Sequence, residues 1–119
     1  MKKTVVIGAS QNEERYSNMA VKKLVAHNHS VTAIGNKVGV INNIIIINDN
    51  PAITGVDTVT LYLNPENQKP YYDYILSLNP KRIIFNPGTE NDELEKLAAE
   101  NGIKTMEACT LVLLSTNQY

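Results

Sequence analysis

The chain opens MKKTVVIGAS, a β-branched apolar run that ends abruptly in Gly-Ala-Ser. A short run of this kind, with no polar residue alternating through it, is the pattern of a strand buried on both faces of a parallel sheet. Past Ser17 a helical pattern begins near Asn18. A buried strand that hands a tight turn to a helix N-terminus leaves backbone N–H groups pointing outward, and such a nest takes phosphate. The first twenty residues therefore commit the chain to strand-turn-helix units and point to a nucleotide-type ligand.

The same alternation continues. Val5 to Ile7 form the first strand, and Ala20, Val21, Leu24 and Val25 share one side of a helix that ends near Asn28, a residue that tolerates the left-handed C-cap. Val31 to Ile34 give a second strand. Between Asn36 and Pro51 two turns are expected, at Gly39 and at Asn42-Asn43, around a short strand Ile44 to Ile47. Thr58 to Leu63 form another strand. Asn64-Pro65-Glu66 is a helix start, with Asn as cap, Pro in the first turn and an acid beside it. Tyr71, Tyr74, Ile75 and Leu78 carry that helix on as an apolar stripe, with a restart or kink at Pro70 and a stop at Asn79-Pro80. Arg82 to Phe85, a turn at Asn86 to Thr89, a helix from Asp92 to Asn101 closed by Gly102, and a strand Lys104 to Met106 follow. Thr110 is expected to cap a terminal helix whose Leu111 to Leu114 run packs on the core or against another chain.

Strands alternating with helices make an α/β fold, a mostly parallel sheet covered on both faces. At 119 residues one domain, 1–119, is expected. Lys and Arg number 11 against 12 Asp and Glu, with no basic stripe, so nucleic acid is an unsuitable partner. No apolar stretch is long enough for a membrane span or signal peptide, and one cysteine allows no internal disulfide, so a cytoplasmic setting is expected.

In open parallel sheets ligands bind beyond the carboxyl ends of the strands, where the winding reverses. The candidate residues are therefore Gly8, Ala9 and Ser10 after the first strand, Gly35, Asn36 and Lys37 after the second, Leu63, Asn64 and Pro65 after the next long strand, Asn86, Pro87 and Gly88 after Arg82 to Phe85, and the surroundings of Cys109. Gly8 lets the backbone approach a phosphate, Ser10 adds a hydroxyl, and Arg15 adds a planar donor fork. A dinucleotide fingerprint G-x-G-x-x-G is absent, and Gly35-Asn36-Lys37 stand where an NAD site wants an acid for the ribose; Lys37 there would favour a further phosphate.

The stretches VVIGASQNEERYSN, PENQKP, IIFNPGTEN and EACT resemble the small stand-alone CoA-binding proteins, relatives of the CoA-binding domain of succinyl-CoA synthetase, over nearly the whole chain. That resemblance implies a three-layer Rossmann-like fold holding CoA or an acyl-CoA at the carboxyl edge of the sheet, with no catalytic activity of its own. It implies that Gly8, Ala9 and Ser10 form the pyrophosphate turn, Arg15 and Ser17 the loop and helix N-terminus, and Pro87-Gly88 the opposite wall. Cys109 would then face the pantetheine end, either as a reactive thiol or as a small buried hydrophobe. The family usually ends its second strand in Asn-Pro and often has Asp-Arg before the cysteine; here Gly35-Asn36 and Glu107-Ala108 stand there.

Two other functions stay open on the residues: an NAD(H)-binding regulatory module or oxidoreductase, and a degenerate fold that serves as a protein-interaction module. Ser10 has no evident base, which disfavours a serine hydrolase. His27 and His29 are two apart with no acid or cysteine cluster, and read as exposed helix-end residues rather than metal ligands. The Ile44 to Ile47 and Leu111 to Leu114 runs together suit a self-association surface, with a homodimer as the expected form.

Overall fold

In the computed structural model, which describes residues 1–119, the opening apolar run is strand β1 (Lys3–Ile7), with Val5, Val6 and Ile7 wholly buried. Burial on both faces follows from its place in the sheet. β1 pairs in parallel with β2 (Ser30–Ile34) on one side and with β5 (Thr58–Leu61) on the other, so that Ile7 stands between Ile34 and Leu61. The sheet has seven strands in the order β3-β4-β2-β1-β5-β6-β7, with β3 (Gly39–Ile41), β4 (Ile44–Ile47), β6 (Arg82–Phe85) and β7 (Lys104–Glu107) completing it. Every pairing is parallel except the β3–β4 hairpin at one edge.

Helices cover the two faces, as an α/β three-layer arrangement requires. On one face α1 (Tyr16–Ala26) buries Ala20, Val21 and Leu24 beside Leu113 and Leu114 of α5 (Thr110–Ser115), against Val6, Ala33, Ile46 and Ile84. On the other, α3 (Tyr72–Leu78) and α4 (Asp92–Glu100) bring Tyr74, Ile75, Leu78, Leu94 and Ala98 onto Val5, Ile7, Val59, Leu61, Ile83 and Phe85. Each fully buried Ile or Leu contributes roughly 1.5–3 kcal/mol relative to exposure, which makes these two clusters the source of the fold's stability.

Several local expectations shift. The first helix begins at Tyr16, two residues before Asn18, and closes through Asn28 at φ +66° with His29 N–H bonded to Leu24 O at 3.0 Å. Gly39 starts a strand instead of making a turn, while Asn42-Asn43 is the hairpin turn. Pro70 breaks the helix after Asn64: a four-residue α2 (Pro65–Gln68), capped by Asn64 Oδ1, passes through a 3₁₀ turn (Lys69–Tyr71) before α3. The cap position of the terminal helix is Cys109, whose side chain makes no cap, and Thr110 is the first helical residue, its side chain turned inward to Thr60 Oγ1 at 2.8 Å. Of the Leu111 to Leu114 run, Leu113 and Leu114 are core whereas Val112 is 57% exposed; of Ile44 to Ile47, Ile46 is core whereas Ile45 is 62% exposed.

The amino edge of the sheet is closed by side chains. Tyr119 lays its ring beneath Arg82 (4.4 Å from guanidinium to ring centroid) and His29, with its hydroxyl 2.6 Å from Thr4 Oγ1 and its carbonyl held by Lys2 and Arg82. The carboxyl edge has no such plug, and the cleft lies there.

Candidate functional site

Strands β1 and β5 lie side by side, but the chain leaves β1 toward β2 with α1 on one face and leaves β5 toward β6 with α2 and α3 on the other. The loops after the two strands consequently part, and a cleft of about 570 Å³ opens between them. Gly8, Ala9, Ser10, Arg15, Tyr16 and Ser17 form one wall and Tyr62, Leu63, Asn67, Tyr71 and Pro87 the other, with Gly35 and Asn36 at the β2 end.

The first wall is held from behind. Gly8 and Ala9 both donate their N–H groups to Ile34 O, at 2.8 and 2.9 Å, so two donors of the expected phosphate nest are already committed to the sheet. The donors that remain are one step further on: Ser10, Tyr16 and Ser17 N–H find no acceptor within the protein. Gly8 sits at φ +98°, and a Cβ there would lie 3.0 Å from the Tyr62 carbonyl carbon, so its missing side chain admits the β5 loop before any ligand. Gly35 is needed for a similar reason, since a Cβ would lie 2.4 Å from Ala9 O.

Arg15 occupies the N-cap of α1 without making a side-chain cap, and no acid stands in the first turn. The positive end of an eleven-residue helix dipole and a guanidinium that makes no salt bridge therefore face the same cleft. Asn18, 2% exposed, supports the turn by donating Nδ2–H to Ser10 O at 3.0 Å. No carboxylate, histidine, lysine or cysteine is among the lining residues.

The opposite wall is tied together by a buried amide. Gln68, with no exposed surface, donates through Nε2 to Leu63 O and to Thr89 O, each at 2.8 Å, and its Oε1 accepts from Asn91 Nδ2 at 2.8 Å. One side chain thus joins the loop after β5 to the turn after β6 and sets Pro87 against Leu63 and Asn67. On the floor, burial pushes the Tyr62 phenol far above its usual range. Its hydroxyl makes no hydrogen bond of good geometry, because Thr60 and Thr110 are paired with each other and Asn86 Nδ2 donates to Thr60 Oγ1 at 2.7 Å. Tyr62 is a neutral phenol at every physiological pH.

Of the residues expected at the site, Gly8, Ala9, Ser10, Arg15, Ser17, Gly35, Asn36, Leu63 and Pro87 line this cleft together. Lys37, Asn64, Pro65, Asn86, Gly88 and Cys109 do not. Asn64 and Pro65 serve the start of α2, Gly88 carries the turn at φ +90°, and Cys109 stands at the cap position of α5 without making a side-chain cap. Tyr16, Tyr62, Asn67 and Tyr71 are lining residues that the sequence does not single out. Their only signal is proximity to a strand's carboxyl end, which a helical stripe at Tyr71 and a cap pattern before Asn67 concealed.

Comparison with known proteins places this geometry in context. A family model described as a CoA binding domain matches residues 2–115. Among solved structures, the crystal structure of an uncharacterized protein is 52% identical, with 100% of this chain and 98% of that chain covered and a TM-score of 0.97. A hypothetical protein from Pyrococcus horikoshii OT3 is 24% identical over 97% of this chain and 82% of that one, at a TM-score of 0.83. A Thermus thermophilus protein shares 18% identity over 99% of this chain and 91% of its own, at a TM-score of 0.84; the last two establish likeness of fold alone. No curated protein matches the sequence.

Proposed function

The chain belongs to the CoA binding domain family, and from that premise we propose that it binds coenzyme A or an acyl-CoA in the cleft between the β1 and β5 loops without transforming it. The donor set supports this. CoA carries a diphosphate at its middle, and one wall of the cleft offers the free N–H groups of Ser10, Tyr16 and Ser17, two hydroxyls and the Arg15 guanidinium. The absence of any lining carboxylate leaves nothing to repel the anion. At about 570 Å³ the cleft is of the size of small-molecule sites, roughly 300–1,000 Å³.

The same lining argues against turnover and against a nicotinamide dinucleotide. Proton transfer needs a group poised near neutrality, and the lining has neither histidine nor acid, while Tyr62 is held neutral. An NAD ribose diol wants a carboxylate at the end of β2, and Asn36 stands there instead. Calorimetric titration tests the proposal. CoA and acetyl-CoA should bind at one site per chain, NAD should not, and incubated acetyl-CoA should be recovered intact. No heat and no rise in melting temperature with millimolar CoA would end it.

We extend the proposal to a cytoplasmic setting, with two copies meeting through the face of the β3–β4 hairpin where Val38, Val40 and Ile45 stand 52–68% exposed. Light scattering at a monomer mass across micromolar concentrations would end the dimer. No helix is long and apolar enough to cross a membrane.

A further inference from the structure

The loop that carries Arg15 to the cleft, residues 10–15, is fastened at its far side to the edge of the sheet. Gln11 does not line the cleft. Its side chain reaches over β3, where its Oε1 accepts from Val40 N–H at 3.1 Å. β3 is an edge strand, so this N–H is one that no neighbouring strand would otherwise pair. The bond is made possible by the residue next to it. A Cβ on Gly39 would lie 2.3–2.5 Å from Gln11 Cδ, Cγ and Nε2, so the Gln11 side chain fills the space that Gly39 leaves empty.

On either side of Gln11 a short set of hydrogen bonds ties Ser10 and Asn12 to Glu14 and Arg15. Ser10 Oγ accepts from Asn12 N–H at 3.1 Å, Asn12 Oδ1 accepts from Glu14 N–H at 3.0 Å, and Asn12 O accepts from Arg15 N–H at 3.0 Å. The loop is otherwise exposed from Gln11 to Tyr16 and packs no apolar side chain into the core. Asn18 holds it from the helix side through Ser10 O, and Gln11 holds it from the sheet edge.

We propose that Gln11 is a positioning residue for the anion site: by latching the loop to Gly39 and Val40 it fixes the direction from which Arg15 and the Ser10 N–H reach a bound phosphate. This role deepens the CoA-binding proposal and rests on it for its effect on affinity, whereas the latch itself is measurable without ligand. The edge hairpin is thereby part of the binding machinery although none of its residues lines the cleft.

The test uses two single variants and their combination. Gln11→Ala removes the acceptor. Gly39→Ala displaces the Gln11 side chain by a Cβ, at a backbone conformation open to alanine, and that side chain has to move from Cγ outward while no backbone atom is crowded as closely. Each should speed hydrogen exchange at the Val40 amide and at the amides of Asn12, Glu14 and Arg15, and each should weaken CoA binding about five- to tenfold. Because both break one contact, the double variant should be no worse than either single one. Gln11→Glu keeps an acceptor at the same reach and should restore both protection and affinity to within about twofold. Unchanged exchange at Val40 in Gln11→Ala overturns the latch. Faster exchange with undiminished CoA affinity, or losses that add in the double variant, overturns the positioning role. Failure of the unaltered protein to bind CoA at all would instead remove the binding proposal, and with it this role, while the exchange data still report whether the latch exists.

Discussion

Two helices enter the sheet's carboxyl edge by glycine turns, and their N-termini are finished in opposite ways. At α4, Asn91 caps the end by accepting from Leu94 N–H at 3.2 Å, and Asp92, Glu93 and Glu95 stand in the first turn. Glu90 even covers the turn itself, accepting from Gly88 N–H at 2.9 Å. At α1 the cap position is Arg15, no side chain accepts from the helix, and no acid stands in the first turn. The dipole of each helix points the same way relative to its own end, so it cannot be what distinguishes them. What differs is the cap and the charge beside it: α4 has a side-chain cap and three acids in its first turn, and α1 has neither.

The largest effect expected from this contrast is at the turn glycines, which share nearly the same backbone: φ +98° at Gly8 and +90° at Gly88. A Cβ at Gly88 meets nothing within 4 Å, so Gly88→Ala should cost only the left-handed conformation, about 1 kcal/mol. Gly8→Ala adds crowding against the Tyr62 backbone and the Leu63 side chain and should cost about 3 kcal/mol. Urea denaturation of the pair checks this, and equal losses would mean that the first turn is as free as the second.

Next in size is the exchange of the caps. Asn91→Ala should lower stability by about 2 kcal/mol, since Asn91 also donates to Gln68 Oε1 and to the Tyr72 hydroxyl, each at 2.8 Å. Arg15→Ala should leave stability within about 0.5 kcal/mol, because Arg15 is exposed and makes no cap, yet should weaken CoA binding about tenfold, or about 1.4 kcal/mol. Denaturation and calorimetry on both variants separate the two. Stability lost at Arg15 with CoA affinity retained would reverse the comparison.

The smallest effect is also the most pointed. Tyr16, 69% exposed at the first position of α1, can be given the acid that α4 has. Tyr16→Asp should stabilise the helix by about 0.3–0.5 kcal/mol relative to Tyr16→Asn, through the dipole. It should bind CoA several-fold more weakly than Tyr16→Asn, because the new carboxylate competes for the same N–H groups. Melting curves and titrations of the two variants side by side give the difference free of the lost ring.

These contrasts bear on how the site can be read from sequence. The apolar run before Gly8, the cap pattern Asn64-Pro65-Glu66, the acid-rich start of α4 and the left-handed Asn28 and Gly102 are local signals, each set by a few neighbouring residues, and the structure carries all of them. Ser10, Arg15 and Ser17 were legible for the same reason: they lie on one continuous strand-turn-helix segment. Tyr71 was not. It shares a helical stripe with Tyr74 and Leu78 on paper, but the 3₁₀ turn at Lys69–Tyr71 breaks the 3.6-residue period and places it on the cleft.

By itself the sequence determined the α/β class, the parallel strands around β1, the helix starts and stops, and the edge of the sheet at which the cleft opens, because periodicity and capping act over a few residues. Only the tertiary structure decided which donors at that edge are free. Ile34 O takes the N–H groups of Gly8 and Ala9, Asn86 Oδ1 takes that of Thr110 at 2.9 Å, and Gln11 takes the open edge at Val40. Each of these partners lies more than twenty residues away in the chain, and no local pattern specifies a contact that forms only when separate strands and helices are packed together.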